Sequence, residues 1–199
     1  MGMTKALQER LFIQGNLRCP RTRFVCVRYG NVLASRGSVI PLFHEQIRRG
    51  GPLTITTKEM TRFLLSLNDA VDTVFGVIES GGRGETYVPK ARSARVTDIA
   101  TALIAGRDID QVFSGIRPGE KTHEIMVSEE EVHRTVGRGR WYVILPMLPE
   151  LAPAMPATPS LKKEFSSADS VMSLKETTAM LDEHDLLIEP IPGYAEILR

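Results

Sequence analysis

Cysteine, histidine and tryptophan are scarce in this chain of 199 residues, which holds two, four and one of them. Two thiols, Cys19 and Cys26, make neither a disulfide framework nor a C-x-x-C half-site for a metal, so both are expected to be reduced and inert. His44, His123, His133 and His184 show no H-x-x-x-H spacing, and no metal site is expected. An excess of one charge is missing as well. The 25 basic and 24 acidic side chains leave a formal charge of +1, which removes any general electrostatic case for nucleic acid or an anionic membrane surface. No apolar run approaches the roughly 18 residues that span a bilayer. Lys5, Glu9 and Arg10 stand where a signal peptide would be apolar, and Ala6 occupies the position at which myristoylation needs Ser or Thr. The expectation is a cytoplasmic protein with neither a membrane nor a nucleic-acid partner. A dinucleotide fingerprint is absent too, since no strand runs into G-x-x-G-x-x-G and then a helix. Gly81-Gly82-Arg83-Gly84, the one dense glycine cluster, follows a helical pattern and precedes a strand, the reverse of what a pyrophosphate cradle needs, and reads as a loop.

What is present is an α/β pattern long enough for one domain or for a large piece of a bigger one. Ala6, Leu7, Leu11 and Phe12 recur at helical spacing between Thr4 and Asn16, where Gly15-Asn16 supplies a stop. Phe24 to Val27 is a short apolar run of the kind buried on both faces of a parallel sheet. Ser38 is placed to cap a helix over Val39 to Arg48, ended by Gly50-Gly51-Pro52. Leu53 to Thr57 and Phe63 to Ser66 read as extended, and Asn68 caps a helix that runs through Ala70, Val71, Val74, Phe75 and Ile78. Glu85 to Val88 reads as a strand, and Thr97 to about Ala105 as a helix with Ile99, Ala100 and Leu103 inward, leading through Ile109 and Phe113 to a turn at Arg117. Glu129-Glu130-Glu131 is expected to be a solvated first helical turn. Arg140 to Leu145 fits one strand, after which Pro146 to Pro159 holds five prolines and a single charge, Glu150, as a linker or surface crossover. Ser173 to Leu187 is amphipathic through Leu174, Thr177, Thr178 and Leu181. There is no internal repeat. The chain divides into residues 1–145, a linker over 146–172, and a helix with its tail over 173–199.

The most telling stretch is Val27-Arg28-Tyr29-Gly30-Asn31-Val32-Leu33-Ala34-Ser35-Arg36-Gly37-Ser38-Val39-Ile40-Pro41. An apolar strand ends there in a polar loop, with permissive turns expected at Gly30 and Gly37, and the loop leads straight into a helix. Backbone N–H groups at the helix start and the donors Asn31, Ser35, Arg36 and Ser38 suit an anionic, sugar-bearing ligand. Together with Thr54-Ile55-Thr56, Met60-Thr61-Arg62-Phe63 and Ile116-Arg117-Pro118-Gly119-Glu120-Lys121, this stretch resembles the nucleotide-sugar (UDP-N-acetylglucosamine) 4,6-dehydratases of surface-polysaccharide synthesis, which are extended short-chain dehydrogenase/reductases. The resemblance runs from Met1 to about Trp141 and Tyr142 and covers the second half of such an enzyme. The fold it implies is α/β: an incomplete Rossmann-like sheet with an interleaved, smaller α/β substrate-binding lobe.

The resemblance also implies roles for particular residues. Met1-Gly2-Met3-Thr4-Lys5 stands where the wider superfamily has Tyr-x-x-x-Lys, so Lys5 would bind the nicotinamide ribose. Methionine transfers no proton, and a branch of the C5-inverting dehydratases shares it, taking the base from residues upstream. Tyr29 and Asn31 would lie on the cofactor side with Lys5. Arg62 and Arg117 match the diphosphate clamp, a role suited to guanidinium forks. Glu120 matches the acid that accepts both ribose hydroxyls of uridine, as one carboxylate can. Asn31 would reach a phosphate or sugar oxygen, with Ser35 and Arg36 beside the substrate, and Thr54, Ile55 and Thr56 would hold the uracil edge through backbone groups. Val39 and Pro41 would pack against the base. His123 and Glu124, adjacent in sequence, are expected to point apart and not to form an acid–base pair.

The function implied is that of the UDP-sugar-binding half of an NAD(P)-dependent UDP-N-acetylhexosamine 4,6-dehydratase, inactive alone, with a missing N-terminal half or a second copy as partner. In the whole family the cofactor oxidises the sugar at C4, which acidifies the C5 proton, water leaves from C6, and the hydride returns there. An extended short-chain epimerase is the alternative within the enzyme class, although Arg28 to Val32, Ser35 to Ser38 and Met60 to Phe63 favour the dehydratases. A non-catalytic nucleotide-sugar-binding module or remnant is the alternative outside it.

Overall fold

The computed structural model describes residues 2–153 and 158–188. Helix α1 (Gly2–Arg18) runs through Gly15-Asn16 instead of stopping there. Asn16, fully buried, ties its end to the next segment: the side-chain amide donates to the Ile13 and Phe24 carbonyls, and Oδ1 accepts the Phe24 N–H. Strand β1 (Cys26–Val27) is shorter and less buried than its apolar run suggested, and among the described residues it pairs with one strand only. After β2 (Asn31–Val32), α2 (Val39–Arg48) has Ser38 at its N-cap position as expected, although the Ser38 side chain makes no capping hydrogen bond, and buries Ile40, Phe43 and Ile47. β3 (Leu53–Ile55) and β4 (Thr61–Leu65) are the expected extended pieces.

Helix α3 (Leu67–Ser80) starts earlier than expected. Its N-cap is Ser66, whose Oγ accepts the Asp69 N–H, while Asn68 lies inside the first turn. It turns Ala70, Thr73 and Val77 inward and leaves Val71, Val74, Phe75 and Ile78 exposed. Gly76 explains the choice of face: a Cβ there would stand 2.6 Å from the Trp141 ring, so only a glycine lets the indole lie against the helix.

β5 (Thr86–Pro89) comes after the glycine-rich loop, and β6 (Arg92–Arg95) leads into α4 (Val96–Ile104), which buries Ile99, Ala100 and Leu103 as expected. β7 (Gln111–Phe113), β8 (Ile125–Val127) and the single-turn α5 (Glu129–Val132) come next. β9 (Thr135–Arg138), which carried no sequence signal, makes a hairpin with β10 (Trp141–Ile144). Residues 161–172, assigned to a linker from sequence, include β11 (Phe165–Ser166) and the core residue Met172. Helix α6 (Leu174–Glu183) is held at its start by a Ser173–Glu176 capping box and packs on α4 through Thr177 and Leu181, leaving Leu174 exposed. Residues 154–157 of the Pro-rich segment and the tail from 189 lie outside the described residues.

The strands form one four-stranded sheet and three smaller groups. In the order β1-β5-β10-β9, only β1 and β5 are parallel; β10 runs antiparallel to both its neighbours, so the sheet is mixed. The lobe holds β2-β4-β6, the parallel pair β3-β7 and the pair β11-β8. Its core joins α2, α4 and α6 through Phe43, Leu103 and Leu181, and a second cluster around Phe63, Val88, Met126 and Phe165 connects lobe and sheet. Each such fully buried side chain contributes about 1.5–3 kcal/mol of apolar transfer energy. β4 supplies both clusters, because strand alternation sends Leu64 to one and Phe63 and Leu65 to the other.

Candidate functional site

The loop from β1 to α2 and the segment from β7 to β8 converge on β4. Gly30 is there for close approach and not, as expected, for a turn: a Cβ would lie 2.5 Å from Phe63 Cβ and 3.0 Å from the Phe63 carbonyl. Gly37 does make the expected turn, with φ +78°. Next to Gly30, half-buried Asn31 stands opposite Leu64 in the parallel β2–β4 pair, two positions along β4 from Arg62. The Thr61 N–H donates to the Thr122 carbonyl at 3.0 Å and so brings the 114–124 segment against the start of β4.

Arg62 lies in this seam, its side chain 15% exposed. Nη1 donates to the Thr61 and Thr122 carbonyls at 2.7 and 3.2 Å, and Nε faces Glu124 Oε1 at 3.9 Å. The Glu124 carboxylate accepts the Phe63 N–H at 3.0 Å. Burial pushes the Glu124 carboxyl above the usual carboxylate range, and the Phe63 N–H, Arg62 and Lys121 offset only part of that. Neighbouring His123 turns the other way, its Nδ1 2.8 Å from Thr61 Oγ1, so the two side chains do point apart.

Glu120 and Arg117 form the exposed lip of the same segment. Glu120 Oε2 accepts the Arg117 N–H and the Thr56 hydroxyl, both at 3.3 Å, and the Arg117 guanidinium is exposed. The backbone of 54–56 is committed elsewhere: the Thr54 N–H donates to Gln46 Oε1, and the Ile55 and Thr56 carbonyls accept from Ser114 and Gly115. Ser35 and Arg36 are exposed in the turn before α2, Val39 and Pro41 are half-buried in its first turn, and Ser38 Oγ there is buried without a hydrogen-bond partner.

Lys5, Tyr29 and Ile125 line an open cleft of about 700 Å³ with Gln8, Cys26 and Arg28. Burial, with the Glu9 charge second, pushes the Cys26 thiol up to about 11, so it holds its proton at neutral pH. The floor of the cleft contains a group that sequence reasoning missed. Arg28 spends all five N–H donors on the Glu9 and Glu131 carboxylates and the Met126 carbonyl, at 2.6–2.9 Å. Glu131 is buried, not solvated as its acidic neighbours suggested. Arg28 carried a signal in its place directly after an apolar strand, where a charge needs a partner. Glu131, 103 residues away, carried only the Ser128-x-x-Glu131 spacing of a capping box, which turns its carboxylate to the Ser128 N–H and does not point to Arg28.

This mixed α/β fold is shared by Pen from Bacillus thuringiensis and by a UDP-sugar 4-epimerase of known structure. The chain belongs to the polysaccharide biosynthesis protein family, which matches residues 1–146. It is 46% identical over 148 residues to a UDP-glucose 4-epimerase of Rickettsia typhi, a match covering 72% of this chain and 43% of that one. The X-ray structure of Pen from Bacillus thuringiensis superposes with a TM-score of 0.83 at 28% identity, over 94% of this chain and 58% of Pen. A UDP-glucuronic acid 4-epimerase from Bacillus cereus, solved with UDP-glucuronic acid and NAD, shares the fold alone, at TM-score 0.53 and 24% identity over 61% of this chain and 41% of that one. The chain thus spans less than half the length of the curated relative it matches.

Proposed function

We propose that the seam between β4 and the 114–124 segment binds the nucleoside diphosphate of a UDP-sugar, and that this chain is the substrate half of an NAD(P)-dependent UDP-N-acetylhexosamine 4,6-dehydratase. The observation that carries the reading is one hydrogen-bonded segment presenting Arg117, Glu120 and, through Thr122, Arg62 beside Asn31. Two guanidinium groups meet the diphosphate, the Glu120 carboxylate accepts the ribose hydroxyls, and Thr56 already holds that carboxylate from the opposite side. Because the Ile55 and Thr56 carbonyls accept hydrogen bonds from the end of the β7 segment, uracil recognition falls to Val39, Pro41 and the backbone groups that remain. Isothermal titration should show weak UDP binding. Arg117→Ala should weaken it most, with Arg62→Ala next, each by about 1.5–3 kcal/mol, the range for a charge-assisted contact. Equal affinity in the parent and both variants would rule the clamp out.

NAD(P) supplies hydride transfer when bound, and the residues present fit only one end of it. Lys5 and Tyr29 face a cleft roomy enough for a nicotinamide riboside, but the 199-residue sequence holds no glycine-rich strand-to-helix motif to cradle the pyrophosphate. The chain by itself therefore turns over no substrate. The epimerase reading is favoured by the name of the Rickettsia typhi relative; it shares the UDP site and differs only in the chemistry after C4 oxidation.

The partner this reading calls for is a second α/β half. Strand alternation directs Phe24, Cys26 and Arg28 to α1 and Val25 and Val27 to the α3 side, so the two helices cover opposite faces of β1. Leu7, Leu11 and Phe12 on one helix and Val71, Phe75 and Ile78 on the other remain exposed beside a strand edge with no partner among the described residues. Such an edge takes another parallel strand with helices on both faces. Without that half, the purified chain should self-associate as its concentration rises in sedimentation velocity, and Phe75→Glu should reverse this. A parent that stays strictly monomeric and melts cooperatively would favour a self-sufficient binding module.

A further inference from the structure

The family match ends at residue 146, yet the chain beyond it returns to the seam. β11 lays Phe165 against Phe63, with ring centroids 4.8 Å apart, and Ser167, just past the strand, has no exposure at all. Its N–H donates to the Glu124 carbonyl at 2.8 Å, and its Oγ accepts the Glu124 N–H at 2.9 Å. The same Oγ lies 2.7 Å from Thr61 Oγ1 and 3.3 Å from the Thr61 carbonyl, and Thr61 Oγ1 is 2.8 Å from His123 Nδ1. A hydroxyl has one proton to give. Two directions satisfy these groups, and in both the Glu124 N–H donates to Ser167 Oγ: either the Ser167 hydroxyl donates to Thr61 Oγ1 and the Thr61 hydroxyl to His123 Nδ1, or His123 Nδ1–H donates to Thr61 Oγ1, the Thr61 hydroxyl to Ser167 Oγ and the Ser167 hydroxyl to the Thr61 carbonyl.

Ser167 therefore grips two of the three residues around the Arg62 guanidinium, the third being Thr122. Thr61 offers Arg62 its carbonyl, and Glu124 faces the Arg62 Nε. We propose that Ser167 is a positioning residue for the diphosphate: the C-terminal strap, through the Ser167 hydroxyl, sets the direction in which Arg62 presents its free N–H groups. Packing alone does not call for a hydroxyl here, since an alanine would fill most of the same buried space. What the hydroxyl adds is a second link to the Glu124 backbone, just past the end of the β11–β8 pair, and a link to Thr61 across the seam. The proposal rests on the assignment of the seam to UDP.

The test is a set of titrations with UDP and with uridine, on the parent chain, Ser167→Ala, Arg62→Ala and the double variant. Ser167→Ala should weaken UDP about tenfold, the lower range for a charge-assisted contact, and leave uridine binding unchanged. In the Arg62→Ala background it should have no further effect on UDP. Ser167→Cys, which keeps the volume and weakens the donor, should show the same contrast and carries the test if the alanine variant does not fold. Equal losses of UDP and uridine, or additive losses in the double variant, would mean a merely structural role and overturn the proposal while leaving the UDP site standing. A parent chain that binds no UDP would overturn both.

Discussion

Arg28→Ala should destabilise the chain by about 3–5 kcal/mol, the cost of removing one partner from a largely buried ion pair. The guanidinium bonds Glu9 through Nε and Nη2 and Glu131 through Nη1 and Nη2, with Met126 taking the remaining donor. It thereby joins α1, β8 and α5, which share no other ion pair among the described residues. Deleting it leaves two carboxylates facing each other across a half-buried gap, with Arg134, 3.3 Å from Glu131, too committed to the Leu145 carbonyl to replace it. Burial alone would raise the Glu131 carboxyl; the hydrogen bonds and charge of Arg28, the Ser128 N–H and Arg134 together hold it at about 2. A carboxyl depressed from an unfolded value of about 4.3 stabilises the fold fully above that value and loses the contribution as pH falls toward 2. In the variant the unpaired Glu131 accepts a proton readily, so acid relieves its penalty. The gap between parent and Arg28→Ala in urea midpoints should be widest at pH 7 and narrow steadily between about pH 5 and pH 2. A gap that stays constant over that range would show that Arg28 stabilises by packing its stem and not by its charge.

The contrast between Arg28 and Glu131 shows how far the sequence could be read. α2 and α4 were legible because their apolar residues recur every three or four positions on a face that is in fact buried. The same pattern makes α3 legible as a helix, but most of its apolar positions are exposed. Periodicity reports that a helix has an apolar side and does not say whether that side meets this chain's sheet or another partner; here the sheet takes Ala70, Thr73 and Val77, the smaller set. Glu131 shares its local sequence with two exposed neighbours; its capping-box place sets it apart locally, but the partner that buries its charge, Arg28, lies 103 residues away. Of the candidate site, the residue types were legible to this extent: Arg62, Arg117, Glu120 and Thr56 fall on segments that meet. Its backbone was not: whether the 54–56 carbonyls are free depends on a parallel pairing with β7, across more than fifty residues, that no local pattern encodes. Ser167 was invisible for the same reason, as a small polar residue whose three contacts all lie in other segments.

Gly30→Ala should cost about 3 kcal/mol, the upper end of the range for overpacking a filled space, and should weaken UDP binding with it. Gly30 does not occupy the left-handed backbone region that favours glycine, so the cost is one of space. Phe63 Cβ stands 2.5 Å from where the new methyl would lie, with Met126 Cε at 2.9 Å and the Phe63 carbonyl at 3.0 Å. The methionine end can swing aside, but a Cβ and a carbonyl move only with their backbone, so β2 must withdraw from β4. That movement carries Asn31 away from Arg62, which is why stability and UDP affinity should fall together. Gly37, alike in sequence, is the control. It has φ +78° with nothing within 4 Å of an added Cβ, and its substitution meets only the strain of a left-handed residue, about 1 kcal/mol. Asparagine tolerates that conformation better than alanine does, so Gly37→Asn should be milder than Gly37→Ala, while Gly30→Asn, a larger side chain in a closed space, should be worse than Gly30→Ala. Urea unfolding of the four variants separates the two mechanisms. If Gly30 shows the same order as Gly37, the strand contact with Phe63 is not what requires glycine at this position.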